Sequence, residues 1–311
     1  MTGDRFKIGC LEVEPVHVDH SVPGAYGFII HTTEGAVIYT GDLRLHGNNP
    51  RMTMDFVEKA KEARPVAMVS EGTRIDVPTD NSSEATVYDA SVKITQGAKG
   101  LVIADFNFKD VDRFRTFYKI AKERGRKMVI SFKHACFLER YASDRKLNVP
   151  DSRDGNIMLL KPKRLTGTYA DEDYTDKYIK SRLDYQNIIT AEEIRKSQKD
   201  YLVVLNFWYF NSLVDLKPEN GTYIHSLSEP FNEEMEASFG RMKNWLDHFK
   251  LAFRQAHCSG HAPASDLKQV IEGISPKVLL PIHTEHPEMF EGFAAKMKVE
   301  NVTFGRRFII E

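Results

Sequence analysis

The sequence predicts an α/β fold, on three observations. Short continuous apolar runs recur along the chain (PVAMVSEG, LVIADF, MVISF, VLLPIHTEH), stretches of helical period lie between them, and a polar segment, DVPTDNSSEAT, interrupts the pattern after residue 75. Apolar runs of this length bounded by turn residues read as strands buried on both faces, and their alternation with helices predicts parallel pairing. The polar interruption predicts a domain boundary near Asp76.

The elements follow in order. KIGCLEVEPVHV, AYGFIIHT and GAVIYTGDLRL, punctuated by Gly35 and Gly41, read as three antiparallel strands. MDFVEKAKEAR sets Phe56, Val57, Ala60 and Ala63 on one helical stripe, and Pro65 ends that helix before a strand whose last residue is Glu71. LVIADF, the helix VDRFRTFYKIAKERGRK with Phe114, Phe117 and Ile120 on one face, and MVISF form a strand-helix-strand unit. ITAEEIRKS carries a capping box of Thr190 and Glu193, YLVVLNFWYF reads as a central strand, Phe231 to Phe253 as helical, and VLLPIHTEH as a last buried strand. Within FWYF the aromatic run fits a base-stacking platform of single-strand binders, but a buried strand or inter-domain core is the expectation.

Composition bounds the function. With 41% hydrophobic and 28% charged residues in 311, the chain is ordinary globular material, and no apolar run approaches the roughly 18 residues of a membrane helix. MTGDRFKIGC lacks the apolar core of a secretory signal, so a cytoplasmic protein is expected. Cys10, Cys136 and Cys258 are too scattered for a zinc knuckle and odd in number, hence expected to be reduced and mostly buried. A net charge of −1 gives no global attraction to a polyanion, which would need a local basic groove or metal ions.

Four stretches place acids or histidines just after apolar strands: HVDHS (17–21), TGD (40–42), HCSGHA (257–262) and PIHTEH (281–286). Strand ends converge at one edge of a sheet, and imidazole with carboxylate is the donor set of zinc, with Asp42 the natural bridge between two ions. His17, His31, His46, His134, His225, His248 and His286 are read as ordinary structural or surface histidines.

Taken in order, VDHSVPGAYGFIIHTTEGAVIYTGDLRLHG, the strand-end glutamate of MVSEGTR, VIADFNFKDVDRF, HCSGHA and LLPIHTEH resemble the metallo-β-lactamase-fold nucleases with a β-CASP insertion, in particular archaeal-type ribonuclease J-like enzymes, through nearly the whole chain. The resemblance implies a partial αββα metallo-β-lactamase domain, residues 1–75 and 252–311, interrupted by an α/β β-CASP domain over 76–251, with RNA entering between them. It implies hydrolysis of RNA phosphodiesters with two Zn2+ ions that activate water. His20 and His283 would each bind a zinc and Asp42 would bridge them. His261 would protonate the leaving oxygen, oriented by Glu71. Histidine at position 283 goes with RNA-acting rather than DNA-acting members.

For the substrate phosphate, HCSG offers His257, the Ser259 hydroxyl and the amides around Gly260, an anion nest unless the turn is merely tight. VIADFNFKDVDRF departs from the Ser-Ser-Asn stretch of many relatives, which puts Asn107 in doubt and leaves Arg113 either touching RNA backbone or as a solvated helix charge. PVHVDHS is not a broken His-x-His-x-Asp-His: the family's own such motif lies well before the position of His20, whereas here 19 residues precede it. The expectation is therefore an N-terminally truncated family member that lacks the first half of that domain, on the order of 100 to 150 residues, or else one half of a split enzyme. The chain alone would then be inactive, with that missing half, a homodimer mate or an active homologue as protein partner. A non-catalytic RNA-binding subunit is the contrasting expectation.

Overall fold

The computed structural model describes residues 2–305, 307 and 309. Compact unit 1 comprises Met1–Ser83 with Ser259–Glu311, and unit 2 comprises Glu84–Cys258. Both divisions fall several residues beyond the expected 75/76 and 251/252. Ala264 and Ser265 donate to the carbonyls of Val77 and Pro78 at 2.9 and 3.0 Å, which keeps 76–78 in unit 1, and residues 252–255 pair with 222–225, which keeps them in unit 2.

Unit 1 begins with β1 (Phe6–Ile8), β2 (Leu11–His17), β3 (Tyr26–Thr32) and β4 (Gly35–Tyr39), then α1 (Pro50–Glu62) and β5 (Pro65–Glu71). The first predicted strand is thus two, split by a turn at Gly9 with φ of 60°. β1 to β4 pair antiparallel in sequence, as expected, and β5 joins parallel to β4.

Unit 2 continues the numbering with α2 (Glu84–Gly97), β6 (Val102–Asp105), α3 (Val111–Glu123), β7 (Lys127–Ser131), α4 (Phe132–Ala142), β8 (Ile157–Lys161), α5 (Lys177–Lys180), β9 (Ile188–Thr190), α6 (Ala191–Lys196), β10 (Tyr201–Val204), α7 (Ser212–Leu216), β11 (Thr222–His225), α8 (Glu233–His248) and β12 (Ala252–Gln255). Its seven strands run parallel in the order β12-β11-β6-β10-β7-β8-β9. One face packs Phe114, Phe117 and Ile120 of α3 with Phe132 and Leu138 of α4. The other packs Ile194, Leu213, Leu216 and Leu246 of α6, α7 and α8.

Two expectations fail here. The segment 231–253 is not one helix: α8 ends at His248, Lys250 takes φ of 51°, and β12 follows as an edge strand beside β11. β10 is central as expected but stops at Val204, because the Asn206 side chain accepts from Trp208 N–H at 3.2 Å and turns FWYF into a 3-10 turn. The run is therefore not a strand: Trp208 is 81% exposed, while Phe210 is buried in the core with Phe207 against it.

Unit 1 resumes with α9 (Ala264–Ile274), β13 (Val278–Ile282) and β14 (Lys298–Val299), completing a sheet of order β1-β2-β3-β4-β5-β13-β14. α1 and α9 cover one face, burying Phe56, Val57, Leu267, Val270 and Ile271 against Val16, Ile29, Ile38, Met68 and Leu279. On the other face runs an aromatic row of His17, Tyr26, Phe28 and Tyr39, with ring centroids 4.1–6.4 Å apart and Tyr39 still 39% exposed. Cys258 is buried, but Cys136 is only half-buried and Cys10 exposed, so the thiols are not mostly buried.

Candidate metal and acid-base site

β5 and β13 are parallel neighbours, with Ile282 in register with Glu71, and β4 flanks β5 on its other side. Three adjacent strands therefore deliver Asp42, Glu71 and His283 to one edge of the unit 1 sheet. Gly41 makes the turn that aims Asp42: its φ is 58°, and a Cβ there would lie 2.5 Å from the Tyr26 carbonyl. His283 itself adopts φ of 51°, a conformation unusual for a residue with a Cβ.

Asp42, Glu71, His261 and His283 converge, with one donor atom of each within 4.8 Å of all the others. Glu71, 1% exposed, is engaged by protein donors on both oxygens: one accepts from Leu43 N–H at 2.6 Å, the other from the Thr73 hydroxyl at 2.8 Å and from His261 Nδ1 at 2.8 Å. The carboxylate thus fixes the His261 tautomer with its proton on Nδ1 and leaves Nε2 to face outward. Burial works against a charged His261, but the hydrogen bond and charge of Glu71, with Asp42 beyond, outweigh it and raise the pKa above the usual imidazole value.

His283 Nδ1 stands 3.2 Å from Asp42 Oδ1 and 3.2 Å from the Thr73 hydroxyl. Since that hydroxyl already donates to Glu71, His283 Nδ1 carries the proton and its lone pair lies on Nε2. His20 stands beside the group of four rather than in it, its ring centroid 5.1 Å from that of His261. Its Nδ1 donates to the Gly260 carbonyl at 2.6 Å, which again reserves Nε2. Burial lowers the His20 pKa, with the Gly260 carbonyl opposing, so this imidazole is held neutral, the form a metal requires.

The turn 259–260 is held by two of its own groups. Its Ser259 hydroxyl accepts from His261 N–H at 3.1 Å, and the Ser259 carbonyl accepts from His46 Nε2 at 2.8 Å. A Cβ on Gly260 would lie 2.7 Å from the Ser21 hydroxyl, so glycine lets the strand-end loops close on each other. Sequence reasoning missed what locks them: Arg44, fully buried, donates to Asp19 at 3.5 Å and to the Ser259 carbonyl at 3.4 Å. Asp19 and Arg44 flank His20 and Asp42 within the quoted stretches VDHS and TGDLRL, and that adjacency was the available signal.

His257 and Arg113 belong to unit 2. Arg113 corrects both expectations made for it: it is neither solvated nor free for RNA. Fully buried, it donates to both Glu84 oxygens at 3.0 and 3.2 Å, to the Ser226 carbonyl and hydroxyl at 2.9 and 2.5 Å, and to the Cys258 carbonyl at 3.3 Å. All five N–H groups of the guanidinium are spent. His257 Nδ1 lies 3.2 Å from the Ser226 carbonyl, and burial together with the Arg113 charge drives its pKa down to about 4. A neutral His257 brings no charge to a phosphate.

The Nε2 atoms of His20 and His283 and the Asp42 carboxylate are donors that suit zinc, so these residues fit such an ion. Among the described residues no helix is long and apolar enough to cross a membrane. Residues 248–305 match the family model described as a Zn-dependent metallo-hydrolase RNA specificity domain. The chain is 25% identical to "Ribonuclease J" of Mycoplasma genitalium over 295 residues, covering 92% of this chain and 48% of that protein. It is 23% identical to "Ribonuclease J" of Pyrococcus abyssi over 312 residues, covering 96% and 64% respectively. The chain therefore spans about half to two thirds of the curated relatives it matches. Among solved structures, a crystal structure of a protein of unknown function from Enterococcus faecalis V583 superposes with a TM-score of 0.77 at 26% identity, over 98% of this chain and 65% of that one.

Proposed function

From the premise that this chain belongs to the ribonuclease J-like β-CASP metallo-β-lactamase family, we propose that it serves zinc-dependent hydrolysis of RNA phosphodiesters. The observation that carries this reading is the convergence of Asp42, Glu71, His261 and His283 on one sheet edge. Asp42, His283 and the Nε2 of His20 are the groups that would hold zinc, and His261 is the acid. Zinc, when bound, supplies Lewis acidity and lowers the pKa of water. Glu71 keeps a proton on His261 up to higher pH than burial alone would allow, and the outward Nε2 is placed to give one to a leaving oxygen. The Arg44–Asp19 pair holds the loops of His20, Asp42 and Ser259 in register during this transfer.

The test is cleavage of single-stranded RNA by the purified chain, with zinc content measured in parallel. Asp42→Ala with His283→Ala should lose zinc, whereas His261→Ala should keep zinc and lose on the order of 10²- to 10⁴-fold in rate. Zinc binding indifferent to the double variant, or cleavage indifferent to His261→Ala, would sink the proposal.

One observation favours a second reading for the isolated chain. With Glu71 engaged by protein donors on both oxygens and His261 as the acid, Asp42, His283 and His20 are the groups among the described residues that remain for metal, fewer than two tetrahedral zinc ions require. On that reading the site is completed by another chain, and the isolated protein binds RNA without cutting it.

A further inference from the structure

His46, an ordinary structural histidine by its place in the sequence, is set by the fold against the turn that carries His261. Its own loop, which follows β4 and Asp42, is tightly held. A Cβ on Gly47 would lie 2.2 Å from Asp19 Oδ2 and 2.4 Å from Arg44 Nε, and Asn49 N–H donates to Asp19 Oδ2 at 3.3 Å. Residues 44–49 therefore close directly over the buried Asp19 and Arg44, with no slack for His46 to drift.

The His46 ring accepts an unfavourable contact in order to make a favourable one. Its Nε2 donates to the Ser259 carbonyl at 2.8 Å, whereas its Nδ1 is buried without a hydrogen-bond partner, Asp266 Oδ2 in the first turn of α9 lying 3.7 Å away. A buried polar atom left unpaired costs stability, and an apolar side chain of similar size would avoid that cost. What an apolar side chain would not supply is the donor to Ser259.

That carbonyl anchors the turn 259–262. Gly260 accepts from His20 Nδ1 at 2.6 Å, His261 N–H donates back to the Ser259 hydroxyl at 3.1 Å, and Ala262 N–H donates to the Leu43 carbonyl at 2.9 Å. One short turn thus carries both the backbone of His261 and the acceptor that reserves Nε2 of His20. Arg44 also reaches the Ser259 carbonyl, but at 3.4 Å and while serving Asp19, so the bond from His46 is the shorter restraint. Leu43 and His46 both follow Asp42 in the chain, so their bonds tie the turn of His261 to the loop of the carboxylate that would hold zinc.

We infer that His46 is a positioning residue: acting through the Ser259 carbonyl, it sets where His261 Nε2 stands relative to Asp42 and His20. The inference rests on the proposed hydrolysis for the role of His261 as acid. A displacement on the order of 1 Å slows an oriented reaction by about 100-fold, so the contribution belongs in kcat rather than in KM.

Two variants of equal side-chain length separate the donor from the bulk. His46→Gln keeps an N–H that can reach the Ser259 carbonyl, and His46→Met does not. Imidazole N–H resonances of the isotope-labelled, metal-free full chain report the Nδ1 bonds of His20 and His261, the latter identified by its loss in His261→Ala. In His46→Met both resonances should move upfield or disappear through exchange with water, and in His46→Gln they should stay near their wild-type positions. In RNA cleavage His46→Met should lose about 10- to 100-fold in kcat with KM within about twofold, and His46→Gln should recover most of the loss. Should His46→Met fail to fold, His46→Asn, polar but too short to reach Ser259, takes its place. Resonances unmoved in the variant without a donor, equal displacement in His46→Gln, unchanged cleavage, or a loss confined to KM overturns the inference. If the wild-type chain cleaves no RNA, the hydrolytic reading fails for the isolated protein, and the resonances still decide whether His46 holds the turn.

Discussion

Two glutamates of this protein, Glu71 and Glu84, are each 1% exposed and each paired with a basic side chain. In the sequence they look alike, an acid near a strand end or helix start. Their partners separate them. Arg113, held by Glu84, spends every N–H on protein acceptors, whereas His261, held by Glu71, spends Nδ1 and keeps Nε2 in reserve. A buried acid–base pair is structural when the base is saturated and functional when one of its polar atoms is left facing a space where chemistry can occur.

The largest expected effect tests the structural side. Arg113→Met removes the counter-charge of the buried Glu84 carboxylate, which should cost about 3–5 kcal/mol of stability. Glu84→Gln combined with Arg113→Met should recover much of that loss, because the double variant removes both charges of the pair. Urea unfolding of the three variants decides: additive losses would mean the pair is not the isolated lock described here.

On the functional side the expected stability effect is smaller. Glu71→Gln retains an acceptor for Leu43 N–H, so about 1–3 kcal/mol should be lost. Its main effect should be to lower the pKa of His261, moving the alkaline limb of any pH–rate profile, where the acid loses its proton, to lower pH, with a rate loss of about 10- to 100-fold. An unchanged pH profile would remove Glu71 from its orienting role.

Arg113 also reaches His257, and that link can be read from pH. Burial and the guanidinium hold His257 near 4, below the ordinary imidazole value, so the unfolded chain binds the extra proton between those limits. The contribution is present in full above about pH 6.5 and is lost as pH falls toward 4, at up to about 1.4 kcal/mol per pH unit. His257→Gln should flatten that part of the stability curve. An identical slope in the variant would show that His257 does not carry this linkage.

Legibility from sequence divided along the same line. Asp42, Glu71 and His283 were readable because each ends an apolar strand, and parallel or adjacent strands deliver their ends to one edge. Arg113 and the Asp19–Arg44 pair were not, because a charge in an amphipathic or turn-rich stretch looks solvated until a distant partner buries it; Glu84 lies 29 positions from Arg113 and Asp19 lies 25 from Arg44. β12 was absorbed into the preceding helix because its four residues, AFRQ, form a mostly exposed edge strand without an alternating pattern. FWYF was misjudged because apolar composition cannot report that Asn206 would cap a turn there.

The smallest effect concerns how Arg113 is aimed. Asp110 caps α3 by accepting from Arg113 N–H at 2.9 Å, and its other oxygen lies 4.0 Å from the guanidinium. If capping is the main role, Asp110→Ala should cost about 1 kcal/mol while Asp110→Asn, which keeps the acceptor, should cost only a few tenths. If instead the carboxylate charge matters to the buried cation, Asn should lose as much as Ala, since it removes the charge equally. Thermal unfolding of the two variants separates a cap from an ion pair: equal losses would make Asp110 a third member of the Glu84–Arg113 lock, and unequal ones leave Glu84 as the counter-charge that decides its stability.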